Sequence, residues 1–436
     1  CSLYPWVCKY QNFPIGHPKV ITENFKSPTE YFGLIQCTVS PPRGLYHPVL
    51  PYRYNNKLLF PLCRSCCEKK LDKCTHSEEE RHITGTWVTE EIKKALALGY
   101  RVVKIFEVWN FKKQSQYDTE EHTGGLFTYF INTFLKVKQE SSGWPSDCLP
   151  TSDQTLESSE IKDARRAYVE SYFEHEGVQL NPDNIKVNTG LRTVAKFCLN
   201  SFYGKFGQRS NLTQTKYLTK ASDFFDMLTD QTIIIIDVHF VSDQMVRIQY
   251  DNVGDFIDIL PNTNVVIAAF TTCYARLKLY SYLEELQRNV LYYDTDSIIY
   301  LDDATVPSVQ KGNYLADMTD VLEKDFGSGI YITRLVSARP KQYSYRVWST
   351  NQQKEVPGSC KVRGITLNCS NVEQINFSSI PRMANNHDEF DVVQNKQNIA
   401  RDKLGSIVSR SQTKTHRFLY DKRILLDDLD TIPYGF

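Results

Sequence analysis

The segment Leu291-Tyr292-Tyr293-Asp294-Thr295-Asp296-Ser297-Ile298-Ile299-Tyr300 sets two aspartates inside an apolar, β-forming stretch. Tyr, Ile and Leu suit a pleated, half-buried surface, whereas Asp-Thr-Asp-Ser is turn chemistry. Val290 to Leu301 is therefore expected to be a hairpin with an acidic turn. On an extended chain, residues two apart point to the same side, so Asp294 and Asp296 can share a hard cation. Mg²⁺ prefers oxygen ligands, commonly one or two carboxylates completed by substrate phosphates, and two such ions can clamp an in-line displacement at phosphorus. Taken alone, the tripeptide equally describes a solvated turn.

A second segment runs Gly190-Leu191-Arg192-Thr193-Val194-Ala195-Lys196-Phe197-Cys198-Leu199-Asn200-Ser201-Phe202-Tyr203-Gly204. On a helix, Arg192, Lys196, Asn200 and Tyr203 follow spacings of four, four and three and so share one face. Two cations, an amide and an aromatic ring on one surface suit a triphosphate, with the ring near base or sugar. Gly204 can end that helix and let another backbone approach closely. A solvated basic face with a glycine stop is the plainer reading of the segment in isolation.

Charge is unevenly spread. Lys+Arg and Asp+Glu are both 51, which gives no overall electrostatic case for a nucleic-acid partner. Residues 291–330, however, hold eight acids against Lys311 and Lys324, net −6, and residues 331–436 hold 16 basic against 10 acidic residues, net +6. A cation-binding region followed by a phosphate-binding one fits this order, as does chance patchiness. No apolar run approaches the ~18 residues of a spanning helix, so no membrane partner is expected. Twelve cysteines in 436 residues, with no signal peptide, suggest reduced thiols and an intracellular protein, nuclear or cytoplasmic. The opening Cys1-Ser2-Leu3-Tyr4-Pro5-Trp6 reads as the interior of a folded element, so the chain is expected to be a fragment.

At roughly 150 residues per domain, the length allows about three units or one multi-lobed protein. The stretch to Tyr52 reads as strands and turns, with Phe32 to Val39 β-rich. Thr89 to Leu98 reads as a charged helix with Thr89 as candidate N-cap. Ile92 denies it a full capping box, and Gly99 ends it. A strand is expected over Tyr100 to Trp109, and helices over Leu126 to Lys138, Lys162 to His175 and Leu191 to Tyr203. Gln139 to Ser159 reads as a linker or exposed loop, Ile233 to Asp237 with Met245 to Tyr250 as a strand pair, and Val265 to Leu286 as a long buried helix. The basic C-terminal hundred residues are expected to form a last lobe.

Cys63-x2-Cys66-Cys67-x6-Cys74-x-His76 is the third chemical signal. Cys63, Cys66, Cys74 and His76 could make a structural Zn²⁺ site that staples an irregular insertion. The alternative is reduced, unliganded thiols.

Lys196-x3-Asn200-Ser201-x-Tyr203-Gly204, Tyr293-Asp294-Thr295-Asp296-Ser297 and Ser2-Leu3-Tyr4-Pro5 resemble, in order along the chain, the three signature motifs of family B DNA polymerases. Gly143-Trp144-Pro145, Gly204-Lys205-Phe206-Gly207-Gln208-Arg209 and Ile432-Pro433-Tyr434-Gly435-Phe436 look like the protein-primed, organellar and viral branch, most like polymerases of Polinton/Maverick transposons. The resemblance spans essentially the whole chain. It implies an α+β right-hand fold with an antiparallel palm sheet, helical fingers and a mixed thumb. Its expected boundaries are 1–52 for the first part of the palm, 53–125 for an insertion with the cysteine cluster and 126–207 for the fingers. The second part of the palm would span 208–345, with a hairpin insertion near 208–252, and the thumb 346–436. His239 in that hairpin reads as an ordinary surface histidine.

Carried over by position, the resemblance makes Asp294 and Asp296 the catalytic ligands of two Mg²⁺ ions. Arg192 and Lys196 would hold the incoming triphosphate, and Asn200 and Tyr203 would line the nascent base pair. Tyr4 would lie under the deoxyribose and exclude a 2′-hydroxyl. Lys138 falls where relatives place another phosphate-contacting lysine, with Lys136 as rival. Gly204, Lys341 and Tyr343 would contact DNA, the last two as a Lys-x-Tyr motif on the primer strand. The implied partners are primer-template DNA, deoxynucleoside triphosphates and, as a further candidate, a terminal priming protein. In one respect the chain departs from the pattern. The family's first-motif aspartate stands three residues before Ser2, upstream of Cys1, and the family's exonuclease domain has no counterpart in these 436 residues. This chain is accordingly expected to be a nearly inactive fragment of an active nucleotidyltransferase. The alternatives are a catalytically inactive DNA-binding transposon remnant, and a zinc-bearing metal nuclease that would leave the nucleotide-facing helix unexplained.

Overall fold

The computed structural model describes residues 3–150, 158–254, 262–303, 306, 308–386, 389–402 and 405–436. Ser2 and residues 151–157 of the polar stretch lie outside them. Two compact units are present. One comprises Cys1–Tyr203, Val266–Ser359 and Leu419–Phe436, and the other Gly204–Val265 with Cys360–Phe418.

The first unit is organised by a four-stranded antiparallel sheet ordered Lys19–Ile21, Arg101–Asn110, Gly33–Ser40, Ile83–Val88. Along Gly33–Ser40, Ile35, Cys37 and Val39 point into the core at the period of two that a half-buried strand requires. The Val265–Leu286 helix adds Leu279, Leu283 and Leu286 to that core, with Ile92 and Ala95 of the Thr89–Ala97 helix. Each such fully buried aliphatic side chain contributes about 1.5–3 kcal/mol of transfer free energy. Tyr293, Ile298 and Tyr300 of the acidic hairpin pack on the same cluster, so the sheet and the long helix together position Asp294 and Asp296.

Gly33 is where the sheet comes closest to itself. A Cβ there would stand 1.8 Å from the Trp109 carbonyl oxygen, and the Gly33 N–H donates to Thr89 Oγ1 at 3.0 Å. Backbone on the neighbouring strand cannot yield as a side chain would. Gly33→Ala is expected to destabilise the first unit by about 3 kcal/mol or more, read as a lowered thermal midpoint. An unchanged midpoint would contradict the packing described. The same contact corrects the capping expectation for Thr89. Val88 occupies the N-cap without a side-chain cap, while Thr89 lies in the helix's first turn with its hydroxyl turned to the sheet.

A second core is helical. Leu3–Tyr10, Thr128–Glu140, Ser159–Glu176 and Thr189–Ser201 meet through Cys8, Ile131, Leu135, Val169, Tyr172 and Leu199. The opening helix replaces the expected strand-and-turn reading. Tyr4, Trp6 and Val7 favour strands in isolation, but Pro5 is tolerated in a first helical turn, and Leu3, Val7 and Cys8 give one buried face. The stretch after Lys138 is likewise less exposed than expected. Glu140, Ser141 and Cys148 are buried, and Glu140 O and Ser141 O accept from Lys186 N and Asn188 N at 3.0 and 2.9 Å.

The remaining strands include a three-stranded sheet, Tyr331–Arg339, Gln342–Ser349 and Lys354–Lys361, whose last strand runs past Ser359, where this stretch of the first unit ends. In the second unit, Met245–Asn252 is the central strand between Gln214–Leu218 and Ile233–Ser242, with Ile248 fully buried. The Asp391–Arg401 and Ile407–His416 hairpin there buries Val393 with Ile365 and Ile375. Among the described residues, no helix is long and apolar enough to cross a membrane.

Candidate nucleotide and metal site

The Thr189–Ser201 helix starts at Asn188, whose Oδ1 accepts from Leu191 N at 3.0 Å. Burial of Ala195 and Leu199 fixes its rotation and leaves Arg192, Lys196 and Asn200 half-buried. Arg192 Nε donates to Ser142 Oγ at 3.0 Å, which holds the guanidinium beside the end of the Thr128–Glu140 helix. Lys138 on that helix is half-buried, and its pKa is pulled below the ordinary lysine value, first by burial and next by the Arg192 charge. Lys196 lowers it further, while Glu176 opposes the shift. Three cations thus face one another from two helices, an arrangement that an anion would relieve. The rival Lys136 instead reaches Glu140, 3.9 Å away.

Tyr4 stacks on Tyr203, ring centroids 3.9 Å apart and planes 14° from parallel. Burial raises the Tyr4 pKa, and the hydrogen bond to Tyr203 and the Asp296 charge raise it further, while Arg276 opposes them. Tyr4 is thereby within electrostatic reach of the acidic hairpin, and its hydroxyl stays protonated at neutral pH.

In that hairpin Asp294 pairs with Ser297, and the turn between them is tighter than an extended strand. The Asp296 N–H reaches Asp294 O at 2.5 Å, and Thr295 has φ +50°. A β-branched residue in that region is strained. Asp294 and Asp296 are therefore placed by a tight turn and not, as expected, by alternation along an extended strand. Asp294 ends the strand half-buried, with Thr295 Oγ1 donating to its Oδ1 at 3.0 Å, while Asp296 is exposed in the turn. Two carboxylates presented by one tight turn offer only hard oxygen donors, a set that fits Mg²⁺ or Mn²⁺ rather than a soft ion.

Beside the hairpin, Tyr292 OH accepts from Lys341 N at 2.8 Å, and the Tyr292 and Tyr343 rings lie 4.8 Å apart. Lys341 sits in the turn between Tyr331–Arg339 and Gln342–Ser349, exposed and with φ +63°. Gly204 lies in the 3-10 turn Phe202–Lys205, and no described atom would come within 4 Å of a Cβ built on it.

Two groups behind this site escape a sequence reading. Arg276 crosses to the buried Glu91, 2.9 Å from its Nε. An arginine as the one charge in the apolar run Val265 to Leu277 was the available signal. Glu176 accepts from Tyr10 OH at 3.0 Å and from Leu315 N at 2.6 Å, and pairs with the fully buried Lys9 at 3.8 Å. No sequence pattern pointed to it. Separately, the structure brings Cys63, Cys66, Cys74 and His76 together, their ligand atoms all within 4.8 Å of one another.

The antiparallel sheet carrying an acidic hairpin, beside a helical cluster that presents cations, is the right-hand polymerase fold. Residues 1–146 match the family described as DNA polymerase type B, organellar and viral. Solved structures of Phi29 DNA polymerase superpose on the chain. In its ternary complex with primer-template DNA and incoming nucleotide the TM-score is 0.55 at 15% identity, and in its post-translocation binary complex 0.51 at 16%. Each match covers 95% of this chain and 56% of the other, so the chain spans a little over half the length of those polymerases. No curated protein matches the chain.

Proposed function

We propose that this chain is the polymerising part of a protein-primed family B DNA polymerase, most like those of Polinton/Maverick elements. It would add deoxynucleotides to a primer 3′-hydroxyl on a DNA template. Its regions would be palm (1–52 and 208–345), fingers (126–207), thumb (346–436) and a cysteine-bearing insertion (53–125). The hairpin near 208–252 and a terminal priming protein belong to the same proposal. The observations that carry it are the grouping of Lys138 with Arg192 and Lys196 across two helices and the stacking of Tyr4 on Tyr203, with Asp296 acting on Tyr4.

The residues divide the work. Lys138, Arg192 and Lys196 bind and orient the triphosphate, and their mutual repulsion without an anion makes binding electrostatically favourable. Tyr4, held flat on Tyr203, closes the space a 2′-hydroxyl would need. Asn200 lines the nascent pair. Lys341 and Tyr343 hold the primer strand, with Tyr292 fixing the Lys341 backbone. Asp294 and Asp296 would hold two Mg²⁺ ions, whose chemistry is to acidify the primer hydroxyl and neutralise the departing pyrophosphate.

The test is primer extension with Mg²⁺ and deoxynucleotides by a protein that carries these 436 residues together with the first-motif aspartate. Template-directed elongation is expected. Binding of primed DNA without elongation would replace this reading with the inactive DNA-binding remnant. Within that assay, Tyr4→Val is expected to raise ribonucleotide over deoxynucleotide incorporation by about 10²-fold. An unchanged ratio would remove Tyr4 from the sugar.

A further inference from the structure

We propose that Cys63, Cys66, Cys74 and His76 bind one structural Zn²⁺, and that this ion is the platform on which the C-terminal segment of the chain docks. The inference does not depend on the polymerase reading. His76 Nδ1 lies 3.3, 3.6 and 3.9 Å from the sulfurs of Cys66, Cys63 and Cys74. Tetrahedral zinc with ordinary Zn–S and Zn–N bonds requires sulfur-to-nitrogen separations of about 3.5 Å. Cys63 caps the Arg64–Lys69 helix, and Cys66 N–H points at its Sγ from 3.4 Å, a donor placed for a thiolate. Cys63 and Cys66 are fully buried, and none of the three cysteines is in a disulfide. One imidazole nitrogen has one lone pair, so at most one of the three thiols can donate to it. A single soft cation satisfies all four groups at once.

The C-terminal segment of the chain covers the cluster. After residues 360–418, the chain re-enters the first unit at Leu419. Ile424 and Tyr434 are buried in one small core with Leu59, Cys63, Cys66 and Cys67. Leu62 N–H donates to Tyr434 O at 2.7 Å. Gly435, at φ +87°, lies so close that a Cβ there would be 2.3 Å from Cys63 Cβ and 2.6 Å from Cys63 N. Lys57 and Asp421 form an ion pair at 2.5 Å on the same platform. Two of the four ligands, Cys63 and Cys66, are buried in this core and Cys74 packs against it, so a bound metal would set the shape of the wall on which the tail rests.

The experiment measures zinc content of the whole protein by atomic emission and amide exchange before and after a zinc chelator. One zinc per chain is expected. Its removal should speed exchange by about tenfold or more in both 57–76 and 424–436, reversed by added Zn²⁺. Cys66→Ser should lose the zinc. Ile424→Ala, which removes tail packing and adds no atom beside a ligand, should keep it while 424–436 loses protection, so the tail is tested even if the cysteine variant does not fold. Zinc well below one per chain after dialysis against Zn²⁺ would overturn the metal site. Bound zinc whose removal leaves 424–436 unchanged would overturn the docking role.

Discussion

Asp294→Asn is expected to lower primer extension by about 10³-fold or more, roughly 4 kcal/mol of transition-state stabilisation, with binding of primed DNA unchanged or tighter. The substitution keeps the shape of the side chain and an oxygen able to accept from Thr295 Oγ1, so the turn should persist. What is lost is the negative charge that holds a divalent cation against substrate phosphates. Removing that charge also lessens repulsion of the DNA backbone, which is why affinity should not fall. Asp296→Asn should behave alike. Its exposed position in the turn means that folding offers no competing explanation for the loss. Retention of a tenth or more of the turnover by either variant would sink the assignment of these carboxylates.

Glu176→Leu is expected to cost about 3–5 kcal/mol in the opening free energy of the Leu3–Tyr10 helix, measured by amide exchange. The substitution leaves the Lys9 ammonium fully buried without its counter-charge and frees Tyr10 OH and Leu315 N of their carboxylate. Lys9 also lies over the Tyr10 and Tyr117 rings, 4.9 and 5.1 Å from their centroids, which softens the loss without replacing the ion pair. Because Tyr4 is on the same helix, the variant should raise the KM for deoxynucleotide more than it lowers kcat. Equal exchange in variant and parent would show the network to be ornamental.

The same lysine sets a pH dependence. Burial pulls the Lys9 pKa down to about 8 from an ordinary 10.5, although Glu176 works against it. Below about pH 8 both folded and unfolded chains carry the proton, and the cost of the buried charge is present in full. Between about 8 and 10.5 the unfolded chain binds more protons, so this group's contribution to stability improves as pH rises. In Glu176→Leu, a source of stabilisation for the ammonium is gone, so the window should open at lower pH.

Local periodicity made much of the scaffold legible. The Val265–Leu286 helix was readable to its bounds, because Val265 to Leu277 is an apolar run with Arg276 as its one charge and the pattern continues at helical spacing through Leu279, Leu283 and Leu286, which the core buries. The Ser159–Glu176 and Thr189–Ser201 helices followed from spacing, and the acidic hairpin from turn chemistry between apolar arms. The opening helix was not readable. Its residues prefer strands locally, and only packing of Cys8 with Ile131 and Leu135 tips the balance. The carboxylate pair was recognisable as chemistry, but its geometry was not. A two-residue spacing fits an extended strand and a tight turn equally, and the hydrogen-bonded pairing of Asp294 with Ser297 selects the turn.

By itself, then, the sequence determined which residue types were available: two aspartates between apolar arms, a helix face bearing Arg192, Lys196 and Asn200, and three cysteines with a histidine. These are short-range properties, dictated by side-chain chemistry and the periods of helix and strand. The tertiary structure alone decided which of them meet. It put Lys138 rather than Lys136 beside Arg192, Tyr4 on Tyr203, Glu176 on Lys9 and Gly435 on Cys63. Such contacts join residues far apart along the chain. Which pairs form is set by burial of the whole core and by the need to pair every charge it encloses, and neither condition is visible in a local window.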